Sequence, residues 1–203
     1  MIKKEKNGSR KIGLYFGSFN PLHIGHMALA NYTVEQYGFD EIWLVLSPLN
    51  PHKNKSDQLD FDFRSRLIID TFQGNPRYKL CCIEAYLPHP HYTVNTVRAL
   101  HMLYPGDHFS LIIGADNWSK IELWHAYEVL LNLLPIYIYP RNGYDFKERN
   151  ISGKFVYMSE APLLEISSTM IRQAIAQGKD FRFWINDPYK WEELVNEYNK
   201  LKL

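Results

Sequence analysis

Lys11-Ile12-Gly13-Leu14-Tyr15-Phe16 leads without a break into Gly17-Ser18-Phe19-Asn20-Pro21-Leu22-His23-Ile24-Gly25-His26, and then into MALANYTVEQY from Met27 to Tyr37. The first stretch is a short apolar run of strand type, the second is rich in turn-forming residues, and the third has helical character. Strand, loop and helix in that order open a β-α-β unit. The pattern repeats outward: EIWLVL from Glu41, a helix from Phe63 to Phe72, YKLCCI from Tyr78, a helix from Val94 to Leu103, FSLIIG from Phe109 and PIYIY from Pro135. Runs such as IWLVL and LIIG are almost continuously apolar, as strands are when helices cover both faces of a parallel sheet. The expected fold is α/β, a doubly wound, Rossmann-like parallel sheet with helices on both faces.

The chain of 203 residues is long enough to bury its own core, and one domain over 1–203 is expected. Residues up to about 10 read as an N-terminal extension, and those from about 160 onward as a helical part packed on the sheet. Asp187 before Pro188 marks a helix start that runs through WEELVNEY. Two stretches after strands, Pro48 to Phe61 and Pro140 to Lys154, are loop-rich and are candidate lids over a site.

Hydrophobic residues at 46% and charged residues at 22% argue against disorder, and a formal net charge of +1 gives no general attraction for nucleic acid or an anionic membrane. No apolar run approaches the roughly 20 residues of a membrane span, and no signal-peptide pattern opens the chain, so a cytoplasmic protein is expected. Assembly into a homo-oligomer is left open. Cys81 and Cys82 are adjacent, which excludes CxxC spacing and favours free thiols buried in a strand. No metal site formed by protein side chains alone is expected.

The loop from Gly17 to His26 ends at a helix start, where free backbone N–H groups attract phosphate, and Gly17 lets a ligand approach the main chain. His23 and His26, three apart, can aim two imidazoles at one anion. An isolated HxxH is more often a cap and a core residue. Near the other end, Ile166-Ser167-Ser168-Thr169-Met170-Ile171-Arg172 precedes a helical QAIAQ that stops at Gly178. Ser168 is the expected N-cap, which puts Arg172 where the helix dipole opposes a cation; a bound polyphosphate would compensate, and so would exposure to solvent.

The GxFxPxHxGH segment after the first strand, combined with ISSTxxR near the end, resembles the nucleotidylyltransferase superfamily of HxGH type. Within it, the resemblance is greatest to the bacterial nicotinate mononucleotide adenylyltransferases and extends over nearly the whole chain. Asn50-Pro51-His52-Lys53, Tyr92-Thr93-Val94-Asn95-Thr96, Gly114-Ala115-Asp116-Asn117 and Leu123-Trp124-His125 carry it further.

That resemblance implies adenylyl transfer from ATP, the co-substrate, to nicotinate mononucleotide in NAD biosynthesis, with Mg²⁺ bound mainly through the ATP phosphates. Gly17, Ser18, Phe19, His23 and His26 would hold ATP phosphates, with His26 nearest the transferred one; Gly114 and Asp116 would serve the ribose and adenine side. Ser168, Thr169 and Arg172 would close the triphosphate site, and Lys53 would add a charge. Trp124 would stack on the pyridine with Thr93 and His125 beside it, although family members often have tyrosine where His125 stands. Arg141 would take the acceptor phosphate. No Ser-His-Asp or Cys-His arrangement is evident, and a phosphate nucleophile needs no general base, so positioning and charge stabilisation would carry the reaction. Three rivals remain: a class I aminoacyl-tRNA synthetase relation, since residues 23–26 read HIGH; a nucleotide-binding sensor without catalysis; and the same reaction on nicotinamide mononucleotide.

Overall fold

The computed structural model describes residues 9–48, 58–146 and 152–201. Its centre is a six-stranded parallel sheet of β1 (Lys11–Gly17), β2 (Glu41–Leu46), β3 (Tyr78–Cys81), β4 (His108–Gly114), β5 (Ile136–Tyr139) and β6 (Phe155–Tyr157), in the order β3-β2-β1-β4-β5-β6. The helices are α1 (Ile24–Tyr37), α2 (Phe61–Thr71), α3 (Thr93–Leu103), α4 (Ala115–Trp118), α5 (Tyr127–Leu133), α6 (Ser168–Ala176) and α7 (Trp191–Lys200). This is the doubly wound architecture expected from the alternation. Strand β6 escaped the sequence reading because FVY is three half-buried residues at a sheet edge, too short for any period to register.

Successive strand residues enter opposite cores. Leu14 and Leu111 pack with Val97 and Leu100 of α3 and Leu130 of α5, whereas Tyr15 and Ile112 pack with Leu29 and Val34 of α1. Both faces of the central strands are therefore apolar, which is why their sequences do not alternate. Helix α7 docks on α2 and α6 through Trp191, Leu194 and Tyr198, in a third cluster with Phe63 and Ile171. Cys81 is buried, as expected, but Cys82 lies just past the strand and is half-buried; both thiols are free.

Helix starts fall slightly earlier than the apolar spacing indicates. Helix α1 opens at Ile24 because His23 is its N-cap, and α2 opens at Phe61 because the Asp60 carboxylate accepts the N–H groups of Asp62 and Phe63. Helix α6 corrects an expectation. Its N-cap is Ser167, whose hydroxyl accepts the Met170 N–H at 3.2 Å, and Ser168 is the first helical residue. Two adjacent serines offer the same capping chemistry, and only the backbone direction chooses between them.

Strand β1 pairs with β2 on one side and β4 on the other, so the chain reverses its winding between β1 and β4. A crevice opens at their carboxyl ends, where open α/β sheets bind ligands. No helix among the described residues is long and apolar enough to cross a membrane.

Candidate active site

Two requirements of geometry shape the loop that leaves β1. A Cβ on Gly17 would sit 2.9 Å from the Phe19 ring, so a glycine there admits that ring as well as any ligand. A Cβ on Gly25 would lie 3.0 Å from Nδ1 of His23, so a side chain at that position would displace the imidazole. Phe19 itself has φ of 41°, left-handed for a bulky residue, at a cost of about 1–2 kcal/mol. Packing offsets this cost: the Phe19 ring is 2% exposed and meets Tyr15 and His26 edge-on. The Phe19 ring is therefore part of the packing that holds the loop.

The two histidines of the loop are brought together, with ring centroids 3.7 Å apart. The His23 backbone N–H donates to Nδ1 of His26 at 3.2 Å. An Nδ1 that accepts leaves the proton of a neutral imidazole on Nε2, so His26 presents an Nε2–H donor. Burial, the His23 ring and the Arg141 cation hold His26 well below the usual histidine range, and burial with Arg141 pushes His23 down to about 3. Both are neutral donors at pH 7 in the free protein.

That neutrality has a signature in stability. The unfolded chain binds protons at these histidines below about pH 6.5, whereas folded His23 resists to about 3, so their contribution is complete above pH 6.5 and lost on acidification. Within that window each such histidine lowers stability by about 1.4 kcal/mol per pH unit. Urea unfolding of the wild type and His23→Asn at pH 7.5 and 5.5 should therefore show a smaller acid loss in the variant. An identical loss would mean that His23 is freely protonated in the folded state.

Arg141, after β5, faces the same crevice with Tyr15 and Tyr139. Its guanidinium donates to the Tyr139 hydroxyl at 3.0 Å and stands 3.7 Å from the Asp116 carboxylate, too far for a hydrogen bond. Nδ1 of His23, Oδ1 of Asp116 and Nε of Arg141 are all buried without a hydrogen-bond partner. Native interiors satisfy such atoms, and unsatisfied ones at a crevice mark a place where a polar ligand completes the network. Gly114 ends β4, opposite Tyr139, and is the N-cap of α4, which places Asp116 at that crevice.

From the other side, α6 is fastened to the loop. Ser168 Oγ donates to the Pro21 carbonyl at 2.9 Å, and Arg172 donates to the Asn20 carbonyl at 3.0 Å and to Thr169 Oγ1 at 3.2 Å. The dipole conflict at Arg172 is thus eased by a carbonyl even without a ligand. The Asn20 side chain, 1% exposed, accepts from the Leu59 N–H and the Tyr198 hydroxyl, tying α7 to the same loop.

Thr93, Trp124 and His125 form a second group. Thr93 opens α3, and its neighbour Tyr92 stacks on His125 with centroids 4.1 Å apart. Trp124 is half-buried against the main core and keeps part of its ring accessible. Lys53 and the Asn50–Lys53 motif lie outside the described residues, as do parts of both candidate lids. Among the described residues no three His, Cys, Asp or Glu side chains converge to hold a metal ion.

Sequence reasoning missed Arg64 and Glu84. Glu84 is 1% exposed and accepts from Ser47 Oγ at 2.6 Å and Thr96 Oγ1 at 3.0 Å, joining the end of β2 to α3 beside Thr93. Burial raises its carboxyl above the usual range, opposed by those two hydroxyls. A lone Glu or Arg in a helical or turn segment reads as solvated, so neither residue left a signal.

A sequence model of the cytidylyltransferase-like family matches residues 14–174, which include both motif segments. A Porphyromonas gingivalis protein named "Probable nicotinate-nucleotide adenylyltransferase" is 47% identical over 176 residues, covering 87% of this chain and 89% of the relative. A Bacteroides thetaiotaomicron protein of the same name is 40% identical over 197 residues, covering 97% and 96%. Among solved structures, Plasmodium falciparum nicotinic acid mononucleotide adenylyltransferase complexed with NaAD superposes with a TM-score of 0.72 at 20% identity, over 96% of this chain and 97% of that one. That likeness speaks to the fold. The family model over most of the chain, and relatives at this identity over nearly their full length, establish that the chain belongs to the nicotinate-nucleotide adenylyltransferase family within the cytidylyltransferase-like group.

Proposed function

We propose that the chain transfers the adenylyl group of ATP to nicotinate mononucleotide, forming nicotinate adenine dinucleotide and releasing pyrophosphate. The observation that carries this reading is the convergence of His23, His26, Arg141 and Asp116, with three orphaned polar atoms, at the crevice between β1 and β4. The names of relatives at up to 47% identity favour the nicotinate acceptor.

In the reaction, an oxygen of the acceptor 5′-phosphate forms a bond to the α-phosphorus as the bond to the bridging oxygen breaks, and the electron pair leaves with pyrophosphate. The nucleophile is already an anion, so no residue has to remove a proton. Neutral His26 donates Nε2–H to the transferred phosphate and His23 supports it; a polyanion seated against them raises their affinity for a proton. Arg172 and Thr169 flank the triphosphate from α6, with Ser168 fixing the loop they share. Asp116 accepts from sugar hydroxyls, Arg141 bridges to the acceptor phosphate, and Trp124, Thr93 and His125 hold the pyridine. Mg²⁺ would arrive on the ATP phosphates and help neutralise the departing pyrophosphate.

One assay tests the reading: ATP and Mg²⁺ with nicotinate or nicotinamide mononucleotide, following pyrophosphate. A large preference for nicotinate is expected. No pyrophosphate with either acceptor would sink the transferase reading, and equal turnover would sink the acceptor. In the same assay Trp124→Ala should raise the acceptor KM about tenfold, the loss of an aromatic stack, with the ATP KM nearly unchanged. An equal rise in both would return Trp124 to a core role.

A further inference from the structure

Arg64, on α2, is 1% exposed, and its guanidinium is turned entirely to main-chain carbonyls. Nε donates to Leu59 at 2.9 Å, Nη1 to Ser18 at 2.8 Å and to Ser47 at 2.9 Å, and Nη2 to Pro48 at 2.9 Å. Burial pushes this guanidinium down to about 10, which leaves it a cation at neutral pH. One buried charge thus gathers the ends of two strands and the chain entering its own helix, and only one of its acceptors, Ser18, belongs to the loop that carries the histidines.

That contact bears on the left-handed residue of the loop. The Ser18 carbonyl and the Phe19 N–H share a planar trans peptide and point in opposite directions. With the carbonyl drawn to Arg64, the Phe19 N–H is turned away from Arg64, and among the described residues it meets no acceptor. On the other flank the Asn20 carbonyl is held by Arg172 at 3.0 Å. The carbonyls on both sides of Phe19, whose φ is 41°, are therefore gripped by guanidinium groups from two different helices. An unusual backbone conformation persists where its surroundings over-determine it, and such places concentrate at ligand clamps.

We infer that Arg64 is a positioning residue for ATP: it holds the Ser18–Phe19 peptide so that the Phe19 N–H is aimed at a phosphate oxygen. This rests on the reading that the loop from Gly17 to His26 takes the triphosphate. If Arg64 were only packing material, its loss would lower stability and leave the balance of ligand affinities unchanged. A positioning role makes a narrower demand, because adenosine shares the base and sugar contacts of ATP and lacks its phosphates.

Calorimetric titration of ATP and of adenosine into wild type, Arg64→Lys and Arg64→Gln, with thermal unfolding of each, separates the two. Arg64→Gln should bind ATP about tenfold or more weakly and adenosine within about twofold of wild type, as expected for a misaimed charge-assisted hydrogen bond. Arg64→Lys should fall between, since an ammonium can keep Ser18 without spanning all four carbonyls. Should Arg64→Gln fail to fold, Arg64→Lys, which keeps the buried charge, decides by the same ratio. Wild-type ATP affinity in a folded variant, or equal weakening of both ligands, overturns the inference while the function stands. A wild-type protein that prefers ATP over adenosine by nothing overturns the phosphate site and this inference with it.

Discussion

His26→Ala is expected to fold and to release pyrophosphate about 10²–10³-fold more slowly, the usual effect of deleting one donor aimed at developing charge. The argument begins with a backbone contact. Because the His23 N–H occupies Nδ1 of His26, the imidazole cannot offer that nitrogen to substrate, and Nε2–H is the donor that remains. The same contact gives His26 a structural part as the third residue of α1, which loosens by about 1 kcal/mol in the alanine variant. His26→Gln separates the parts, since a glutamine at this position can accept the same N–H and still carries an amide donor. It should recover the stability and only some of the rate. Turnover of His26→Ala within a few-fold of wild type would remove His26 from the reaction.

Arg172→Ala should raise the KM for ATP about 10–100-fold, the value of a charge-assisted hydrogen bond lost from a polyphosphate. The side chain is half-exposed and divides its donors between the Asn20 carbonyl and Thr169, so it is already held where a triphosphate on the loop would meet it. Arg172→Lys should be intermediate, because an ammonium keeps the charge without the planar fork that reaches both partners. Steady-state kinetics against ATP at saturating acceptor decides the matter. An unchanged ATP KM in a folded Arg172→Ala protein would reduce the residue to a fastening between α6 and the loop.

These two sites differ in how visible they are in the sequence. The HxxH spacing after a strand marks His23 and His26 directly, because a helix start three residues long brings both rings to one place through local geometry alone. Arg172 could be found as a cation in the wrong part of a helix, but its partner carbonyl, 152 residues away, could not. Arg64 left no trace, for the opposite reason. An arginine in FDFRSR looks like a solvated helix face, and its burial follows from the packing of α2 beneath a loop that ends β1.

The parallel strands, their order of appearance, the helices between them and the loop that joins β1 to α1 were determined by the sequence alone, since apolar period, turn residues and capping are local properties. The tertiary structure decided the edge strand β6, the choice of Ser167 over Ser168 as cap, and the meeting of Arg141 with Asp116 beside the histidines. It also decided that Phe19, at φ of 41°, is buried with its ring against Tyr15 and His26. Each of these depends on groups distant in the chain whose burial and hydrogen bonding exist only once the sheet has brought its carboxyl ends together.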